Sequence, residues 1–481
     1  MSRSRYLLKN MSLFTISNMA SKILVFLLVP LYTNVLSEAD YGVADVMQTT
    51  LLLLVPLLSL NAGEAALRYG IECADKRGSI LKSGMRHVLR SAAIVAVACL
   101  GAAAWMLLTG SGREYAGYFL IFILLYAANA VYEFMLLYTQ GSEKVEIMIS
   151  GSICCTFITV ISNILMLLVF RLGLYGYLFS QIAAYYISFV LMFRLIGGAG
   201  LTGSKEDREL QSEMTGYGRG MLLYSTASWA NNAIDRYFIL FMLGAAQNGL
   251  YGVAYKIPAI LMVFQRIFAQ SFQMSATKEY REEDAGKFFG ELYELYNAVM
   301  LTGCALILLL LKPLAAFMFR KGFYEAWVMV PPLLISVIFG ALEGYLGSIC
   351  LAHKDGKSMG IATGAGAIVN IILNLVAISL FGATGAALAT MVSYFTMFAI
   401  ARYLTGKHVR LEVNIMRNAC SYLLILLAGG LTMYLGSLEG GRYGVMMYTA
   451  DAVTAAVLVI LYRRQFAAVA GRLTAGRRAR G

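Results

Sequence analysis

The chain has 481 residues, of which 59% are hydrophobic and 14% are charged, and its formal net charge at pH 7 is +12. Soluble domains carry about a quarter charged residues, so this composition excludes an ordinary soluble enzyme or binding module. A basic excess could suit nucleic acid, but its distribution along this chain argues against such a partner.

Fourteen apolar stretches are long enough to cross the hydrocarbon core of a bilayer, which takes roughly 20 residues. Because lipid offers the backbone no hydrogen-bonding partners, each stretch is predicted to be a helix, and none alternates like an outer-membrane strand. The predicted spans are 10–36, 40–67, 87–108, 115–139, 146–170, 174–196, 215–242, 248–275, 288–311, 328–351, 358–381, 384–404, 415–436 and 444–462. The predicted fold class is an all-α polytopic membrane protein with fourteen transmembrane helices.

The first predicted span follows the basic segment MSRSRYLLKN. Its apolar run exceeds the 7–15 residues of a signal-peptide core, and no small-residue cleavage site follows, so the span is expected to stay in the protein. Lys and Arg are concentrated in alternate loops and in both termini, whereas the other loops carry only Arg113, Arg171, Lys312, Arg320, Lys321 and Arg442. The positive-inside rule therefore predicts a multi-pass protein of the inner (cytoplasmic) membrane with both termini cytoplasmic. The basic tail AGRRARG suits lipid headgroups rather than nucleic acid.

Soluble catalytic and cofactor motifs are absent. The Gly-Lys-Ser at 356–358 lacks the first glycine of a P-loop, where Leu351 stands, and no strand precedes it. The chain has neither a His-Glu-x-x-His motif nor a Cys-x-x-Cys motif, so no metal and no cofactor is expected. None of the seven cysteines falls in a predicted outer loop, so they are interpreted as small apolar fillers.

Two weak internal echoes suggest a repeat. Residues 41–44 and 251–254 share the word YGVA, and Gly173 and Gly176 correspond to Gly382 and Gly385. Because a repeat of six spans returns to the same side, two six-helix lobes would be related by a pseudo-two-fold axis along the membrane normal, with two extra C-terminal helices. The predicted domains are an N-lobe at 1–198, a cytoplasmic linker at 199–214, a C-lobe at 215–406, and spans 13 and 14 with the basic tail at 407–481.

Ionisable residues inside predicted spans are the strongest functional signal, because a central charge costs about 2.5–3.5 kcal/mol even on mild insertion scales. The cations in question are Lys22, Arg236, Lys256 and Arg266, and the acids include Asp235 and Glu343. Polar residues extend the stripes that they form, namely Asn18, Asn232, Gln270 and Gln273. Such residues usually face a hydrated cavity or a partner.

The adjacent pair Asp235 and Arg236 raises a question of its own. Neighbours in a helix point about 100° apart, so the two side chains are predicted to find separate partners. Asp235 could form a structural ion pair with Lys22 or Lys256, or these residues could line a substrate cavity.

Two segments carry a family resemblance: SNMASKILVFLLVPLYTNVLSEADYGVADV and NNAIDRYFILFMLGAAQNGLYGVAYKIP. They resemble the bacterial polysaccharide-biosynthesis flippases of the multidrug/oligosaccharidyl-lipid/polysaccharide exporter superfamily, over about residues 1–405. That superfamily includes the lipid II flippases and the MATE antiporters. The resemblance implies a MATE-like fold of two six-helix bundles around a central cavity, with alternating access. Lys22 sits where similar flippases place a first-helix cation.

The resemblance implies a flippase, not an enzyme, that moves undecaprenyl-pyrophosphate-linked oligosaccharide from the inner to the outer leaflet for cell-surface polysaccharide assembly. The four cations would offset the pyrophosphate charge and the four amides would bond sugar hydroxyls, while Asp235 and Glu343 would serve coupling or gating. Transport would depend on the membrane potential or an ion gradient, among membrane lipids and beside polysaccharide polymerase or glycosyltransferase proteins. The alternatives are a lipid II-type peptidoglycan-precursor flippase and a cation-coupled MATE-type antiporter.

Overall fold

The computed structural model describes residues 26–110, 112–197, 207–279, 284–353, 355–438 and 440–467. Its α-helices are α1 Val29–Val35, α2 Glu38–Leu58, α3 Ala62–Glu72, α4 Arg77–Thr109, α5 Ala116–Gly141, α6 Val145–Asn163, α7 Gly173–Ile196, α8 Arg208–Leu243, α9 Ala245–Ala254, α10 Pro258–Glu279, α11 Ala285–Leu309, α12 Leu311–Met318, α13 Val330–Ala352, α14 Gly356–Phe381, α15 Ala383–Thr405, α16 Ile415–Ser437 and α17 Gly441–Leu461. A π-helical segment, Ile164–Val169, extends α6, and 3-10 turns cover Ala74–Lys76, Arg113–Tyr115 and Lys321–Met329.

The described residues contain helices and no strands, as the composition predicts for a membrane protein. Eleven helices in these ranges are long and apolar enough to cross a membrane. Of the other three predicted spans, 10–36 lies largely outside the described residues, and 215–242 lies within α8. The span at 248–275 is divided into α9 and α10 by a turn at 255–257. The number fourteen and the two-lobe symmetry therefore stay predictions.

The predicted span 40–67 is broken in the structure. Pro56 lies within the last turn of α2, where a proline removes a helical hydrogen bond. Leu60 and Asn61 then adopt positive φ angles of 53° and 50°, in the left-handed region that cannot continue a right-handed helix. The chain restarts as α3 at Ala62.

By packing, the chain divides into two compact units, Met1–Ala233 and Ile234–Gly481, and the division falls inside α8. Because α8 begins at Arg208, the last residues of the predicted linker 199–214 are helical. The predicted lobe boundaries stay predictions.

The first unit packs its helices closely around α5. A Cβ atom added to Gly141, the last residue of α5, would lie 2.6 Å from the Cα of Leu67 in α3, so only glycine permits this crossing. The core of this unit includes the large buried side chains Leu81, Leu125 and Tyr126.

The second unit is built around α13, the helix with the most buried apolar window of the eleven. The C-terminal helices α16 and α17 are attached to α11 by a buried polar network. Glu294 pairs with Arg417, and Asn297 donates to Tyr462 Oη at 3.0 Å. Helices 13 and 14 of the predicted plan thus belong to the second unit.

Candidate functional site

Asp235 is the centre of a buried polar cluster in the second unit, and only 2% of its surface is exposed. Its Oδ2 accepts a hydrogen bond from the Tyr251 hydroxyl on α9 and a second, of 3.0 Å, from the Thr390 hydroxyl on α15. Tyr251 is completely buried, so its hydroxyl needs a partner inside the protein. The cluster therefore holds three helices of this unit to one carboxylate.

Arg236 follows Asp235 in α8, and adjacent helical side chains leave the helix about 100° apart. Its guanidinium carbon lies 5.1 Å from the ring centroid of Tyr255, a cation–π geometry. Tyr255 also lies 3.5 Å, hydroxyl to hydroxyl, from Tyr251. The adjacent acid and base are thus separated by an aromatic pair, each with its own partners.

The other carboxylate oxygen of Asp235, Oδ1, is buried and has no hydrogen-bond partner among the described residues. The described part of the chain gives Asp235 no ion pair with Lys256. The alternative partner Lys22 lies outside the described residues, so an ion pair with Lys22 stays a prediction. A buried carboxylate bonded on one oxygen and open on the other can accept a proton or coordinate a small cation. No group of three or more His, Cys, Asp or Glu side chains suited to a metal occurs in the described ranges.

Glu343 is the second predicted coupling residue. It lies in α13 with 8% of its surface exposed, and its Oε1 has no partner among the residues that the structure describes. Glu343 and Asp235 are therefore both buried acids of the second unit, each with one open oxygen.

The predicted substrate-binding residues lie in several places. Lys256 is half-buried in the turn between α9 and α10, and Arg266 is exposed on α10. Within the described ranges, neither of these two cations pairs with a carboxylate. Asn232 is exposed on α8. Asn18 and Lys22 lie outside the described residues, as do the side chains of Gln270 and Gln273, so the predicted convergence of these groups stays a prediction.

Residue patterns alone missed the hydroxyl partners Tyr251, Tyr255 and Thr390. One signal was present, because Tyr251 opens the word YGVA that recurs at 41–44. A tyrosine in an apolar span needs a hydrogen-bond partner, and the nearest acid along the chain is Asp235. Thr390 gave no such signal.

A family model described as "Polysaccharide biosynthesis protein" matches residues 7–277, more than half of the chain. The chain belongs to this polysaccharide biosynthesis family. The match spans both quoted segments that carry the resemblance, and it makes the chain a membrane protein of the flippase and transporter class. No curated protein matches the chain.

Solved structures of membrane flippases and transporters share the fold. The inward closed conformation of the lipid II flippase MurJ aligns with a TM-score of 0.70 at 14% identity, over 94% of this chain and 99% of that one. An inward-facing multidrug resistance MATE family transporter aligns with a TM-score of 0.63 at 11% identity, over 85% and 98%. A MOP superfamily transporter from Pyrococcus furiosus aligns with a TM-score of 0.53 at 12% identity, over 86% and 93%. Likeness at this level of identity shows the fold and leaves the cargo open.

Proposed function

We propose that the protein is a flippase that moves undecaprenyl-pyrophosphate-linked oligosaccharide from the inner to the outer leaflet of the bacterial cytoplasmic membrane by alternating access. The observation that carries the proposal is the match of residues 7–277 to the polysaccharide biosynthesis family. The cargo is an anionic amphiphile, and unaided passage of its pyrophosphate and sugars through hydrocarbon is prohibitively costly. The protein supplies a polar route for the head while the isoprenoid tail stays in lipid.

The distribution of charge in the predicted spans supports an anionic cargo. Lys256 and Arg266 have no carboxylate partner in the described part of the chain. Asp235, the most buried acid near them in sequence, is satisfied by hydroxyl groups instead of by a cation. Lys256 and Arg266 therefore keep positive charge for pyrophosphate, and Lys22 and Arg236 are the other two cations predicted to face the cargo. Asn18, Asn232, Gln270 and Gln273 bond sugar hydroxyls.

The first test is a flippase assay on proteoliposomes with a fluorescent undecaprenyl-pyrophosphate oligosaccharide, for Lys22→Ala, Lys256→Ala and Arg266→Ala. A hydrogen bond to a charged group contributes about 1.5–3 kcal/mol, so each substitution is expected to slow flipping by roughly 10-fold to 100-fold. Arg194→Ala, an exposed arginine in the last turn of α7, is the matched control and is expected to flip at the wild-type rate. Wild-type rates in Lys22→Ala and Arg266→Ala would remove both residues from the cargo path.

A lipid II-type peptidoglycan-precursor flippase is the second candidate, favoured by the TM-score of 0.70 with the lipid II flippase MurJ. Both cargoes carry a pyrophosphate, so the cations serve either one. The same assay with lipid II as the fluorescent substrate separates the candidates. Faster flipping of lipid II than of the oligosaccharide lipid selects the second.

A cation-coupled MATE-type antiporter is the third candidate, favoured by the open oxygens of the buried acids Asp235 and Glu343. Such a protein would export organic cations in exchange for protons or Na⁺. Uptake of a fluorescent organic cation into inverted vesicles, driven by an imposed gradient, is the discriminating measurement.

A further inference from the structure

The first unit contains a cavity of about 860 Å³, and no residue of the Asp235 cluster is among its lining residues. Its lining comes from the end of α2, the N-terminal part of α4 and the N-terminal half of α8. These segments flank the loops that the positive-inside rule places in the cytoplasm. Ligand sites in proteins commonly measure about 300–1,000 Å³, so the cavity can hold the headgroup of a lipid or a small soluble molecule.

Four arginines line the cavity, Arg86 and Arg90 from α4 and Arg208 and Arg219 from α8. No acid is among the lining residues. Arg90, Arg208 and Arg219 make no ion pair with a carboxylate anywhere in the described ranges. Arg86 donates to Gln211 Oε1 across the cavity at 3.4 Å. Arg86 and Arg90 lie one helical turn apart on α4, where like charges repel each other. A bound anion would relieve this repulsion.

The α8 wall of the cavity is held in place by contacts with the break in span 2. Asn61 Nδ2 donates to the carbonyl of Gly218 at 3.2 Å, and Ser225 Oγ donates to Asn61 Oδ1 at 3.1 Å. A Cβ atom on Gly218 would lie 1.9 Å from the carbonyl oxygen of Leu60, so this approach requires glycine. The left-handed turn at Leu60 and Asn61 thus fixes how α8 packs, and with it the positions of Arg208 and Arg219.

A second contact ties α4 to α8 inside the cavity. The His87 ring bonds the Ser83 carbonyl through Nδ1 at 3.0 Å and lies 3.3 Å from Thr215 Oγ1 through Nε2. Ser212 and Gln211 add a hydroxyl and an amide to the lining. The lining thus offers guanidinium forks, a hydroxyl and an amide, which are the groups that bind phosphate oxygens.

The cavity also has an apolar wall. Leu58 at the end of α2, Leu60 in the break that follows it and Ile94 on α4 belong to the lining. A soluble anion such as free phosphate would leave this wall unused, whereas an amphiphile can place its first apolar carbons against it. We propose that this cavity binds the phosphate-bearing headgroup of an anionic membrane amphiphile, and that its ligand is a polyprenyl pyrophosphate taken from the cytoplasmic leaflet.

The choice of pyrophosphate lipid over bulk phospholipid rests on the proposed flippase function, whereas the phosphate site itself rests on the cavity alone. As an entry site, it would hold the headgroup on the predicted cytoplasmic side before the membrane step. Arg90 and Arg219 are the test residues, because they come from opposite walls and both are exposed.

The experiment measures binding of undecaprenyl pyrophosphate to the purified full-length protein in neutral-lipid nanodiscs, with inorganic pyrophosphate and phosphatidylglycerol as competitors. We expect Arg90→Gln/Arg219→Gln to weaken binding at least tenfold, and Arg219→Lys to fall between this variant and the wild type, since lysine keeps the charge and loses the planar fork. The control Arg194→Gln/Arg463→Gln removes the same charge from exposed sites outside the cavity and is expected to bind within twofold of wild type. Melting temperatures verify that all variants are folded.

Each outcome decides one part of the inference. Displacement by inorganic pyrophosphate, with loss only in the cavity variants, supports the site and its pyrophosphate ligand. Equal displacement by phosphatidylglycerol supports the phosphate site and assigns it to bulk lipid. Equal binding by wild type and Arg90→Gln/Arg219→Gln overturns the site. A flipping assay on the same samples separates the two proposals, because a protein that binds through these arginines yet flips no oligosaccharide lipid keeps the site and loses the function.

Discussion

Asp355 shows how single residues fix the loops between the helices. It precedes α14, where its Oδ1 accepts from the backbone N–H of Ser358 at 3.0 Å, and it contacts the His408 ring at 2.7 Å. The Ser358 hydroxyl, the His408 ring and the Ser358 N–H hold the pKa of the Asp355 carboxyl well below its ordinary value of 3.8. The carboxylate form therefore stabilises this loop at neutral pH.

The corresponding prediction concerns acid. Because the folded-state pKa of Asp355 is depressed, its contribution is complete above the ordinary value of 3.8 and is lost as the pH falls below it. Asp355→Ala is expected to melt at a lower temperature than wild type at pH 7, with the difference shrinking below about pH 4. Asp284→Ala is the control, because Asp284 precedes α11 without a capping hydrogen bond from its side chain. A difference that persists unchanged at pH 3 would contradict the assignment.

The sequence alone predicts only part of the candidate site and of the cavity. The divergence of Asp235 from Arg236 follows from helix geometry and was predictable. The partner Thr390 lies 155 residues away along the chain, and helix packing brings it to the carboxylate. Arg86 and Arg208 lie in predicted inner loops, and Arg90 and Arg219 lie near the inner ends of predicted spans. A count of charges along the sequence gives no information about which of them face one another.

At the scale of elements, hydropathy predicts where apolar helices lie and fails where a helix breaks. Leu60 and Asn61 are compatible with a continuous span by composition, and their left-handed backbone becomes visible only in the structure. The nearby Pro56 and the sequence SLNAG were the available signals. This break matters because Asn61 hydrogen-bonds α8 and Leu60 packs closely against Gly218 of α8.

The attachment of α16 and α17 to α11 gives an element-scale prediction. Glu294 pairs with Arg417 while its Oε1 accepts from the Asn414 N–H at 2.8 Å, and both charged side chains are largely buried. Removing one partner leaves a buried charge, so Glu294→Gln and Arg417→Met are each expected to cost about 3–5 kcal/mol of unfolding free energy. In a double-mutant cycle measured by denaturation in detergent, the double variant should lose less than the sum.

Glu291→Gln provides the control for this cycle, because Glu291 is an exposed acid on the same helix. It is expected to change the unfolding free energy by less than about 0.5 kcal/mol. Additive losses in the Glu294 and Arg417 double variant would mean that the pair does not hold α16 to α11.

For the whole molecule, the class follows from bulk properties. Apolar runs and inner-loop charge predicted a helical membrane protein, and the family match and the shared fold confirm that class. The identity of the cargo does not follow from these bulk properties. A glycan is recognised by the shape and hydrogen bonding of a site assembled from distant helices, and the same fold serves the lipid II flippase MurJ and a multidrug resistance transporter.

The source of energy is also a property of the whole molecule. An inside-negative potential favours outward movement of an anion by about 2.3 kcal/mol per charge per 100 mV, so the membrane potential is the predicted energy source that the charge of a pyrophosphate lipid favours. In right-side-out proteoliposomes, an imposed inside-negative potential is expected to accelerate outward flipping, and reversal of the potential is expected to slow it.

Asp235→Asn should flip more slowly yet keep this dependence on the potential, if Asp235 balances charge or gates. The matched control is Asp451→Asn, a buried acid in α17 bonded to Thr432 at 2.8 Å. Flipping that instead follows a proton or Na⁺ gradient at zero potential, and loses that dependence only in Asp235→Asn, would show that the open carboxylate oxygen of Asp235 couples transport to a cation.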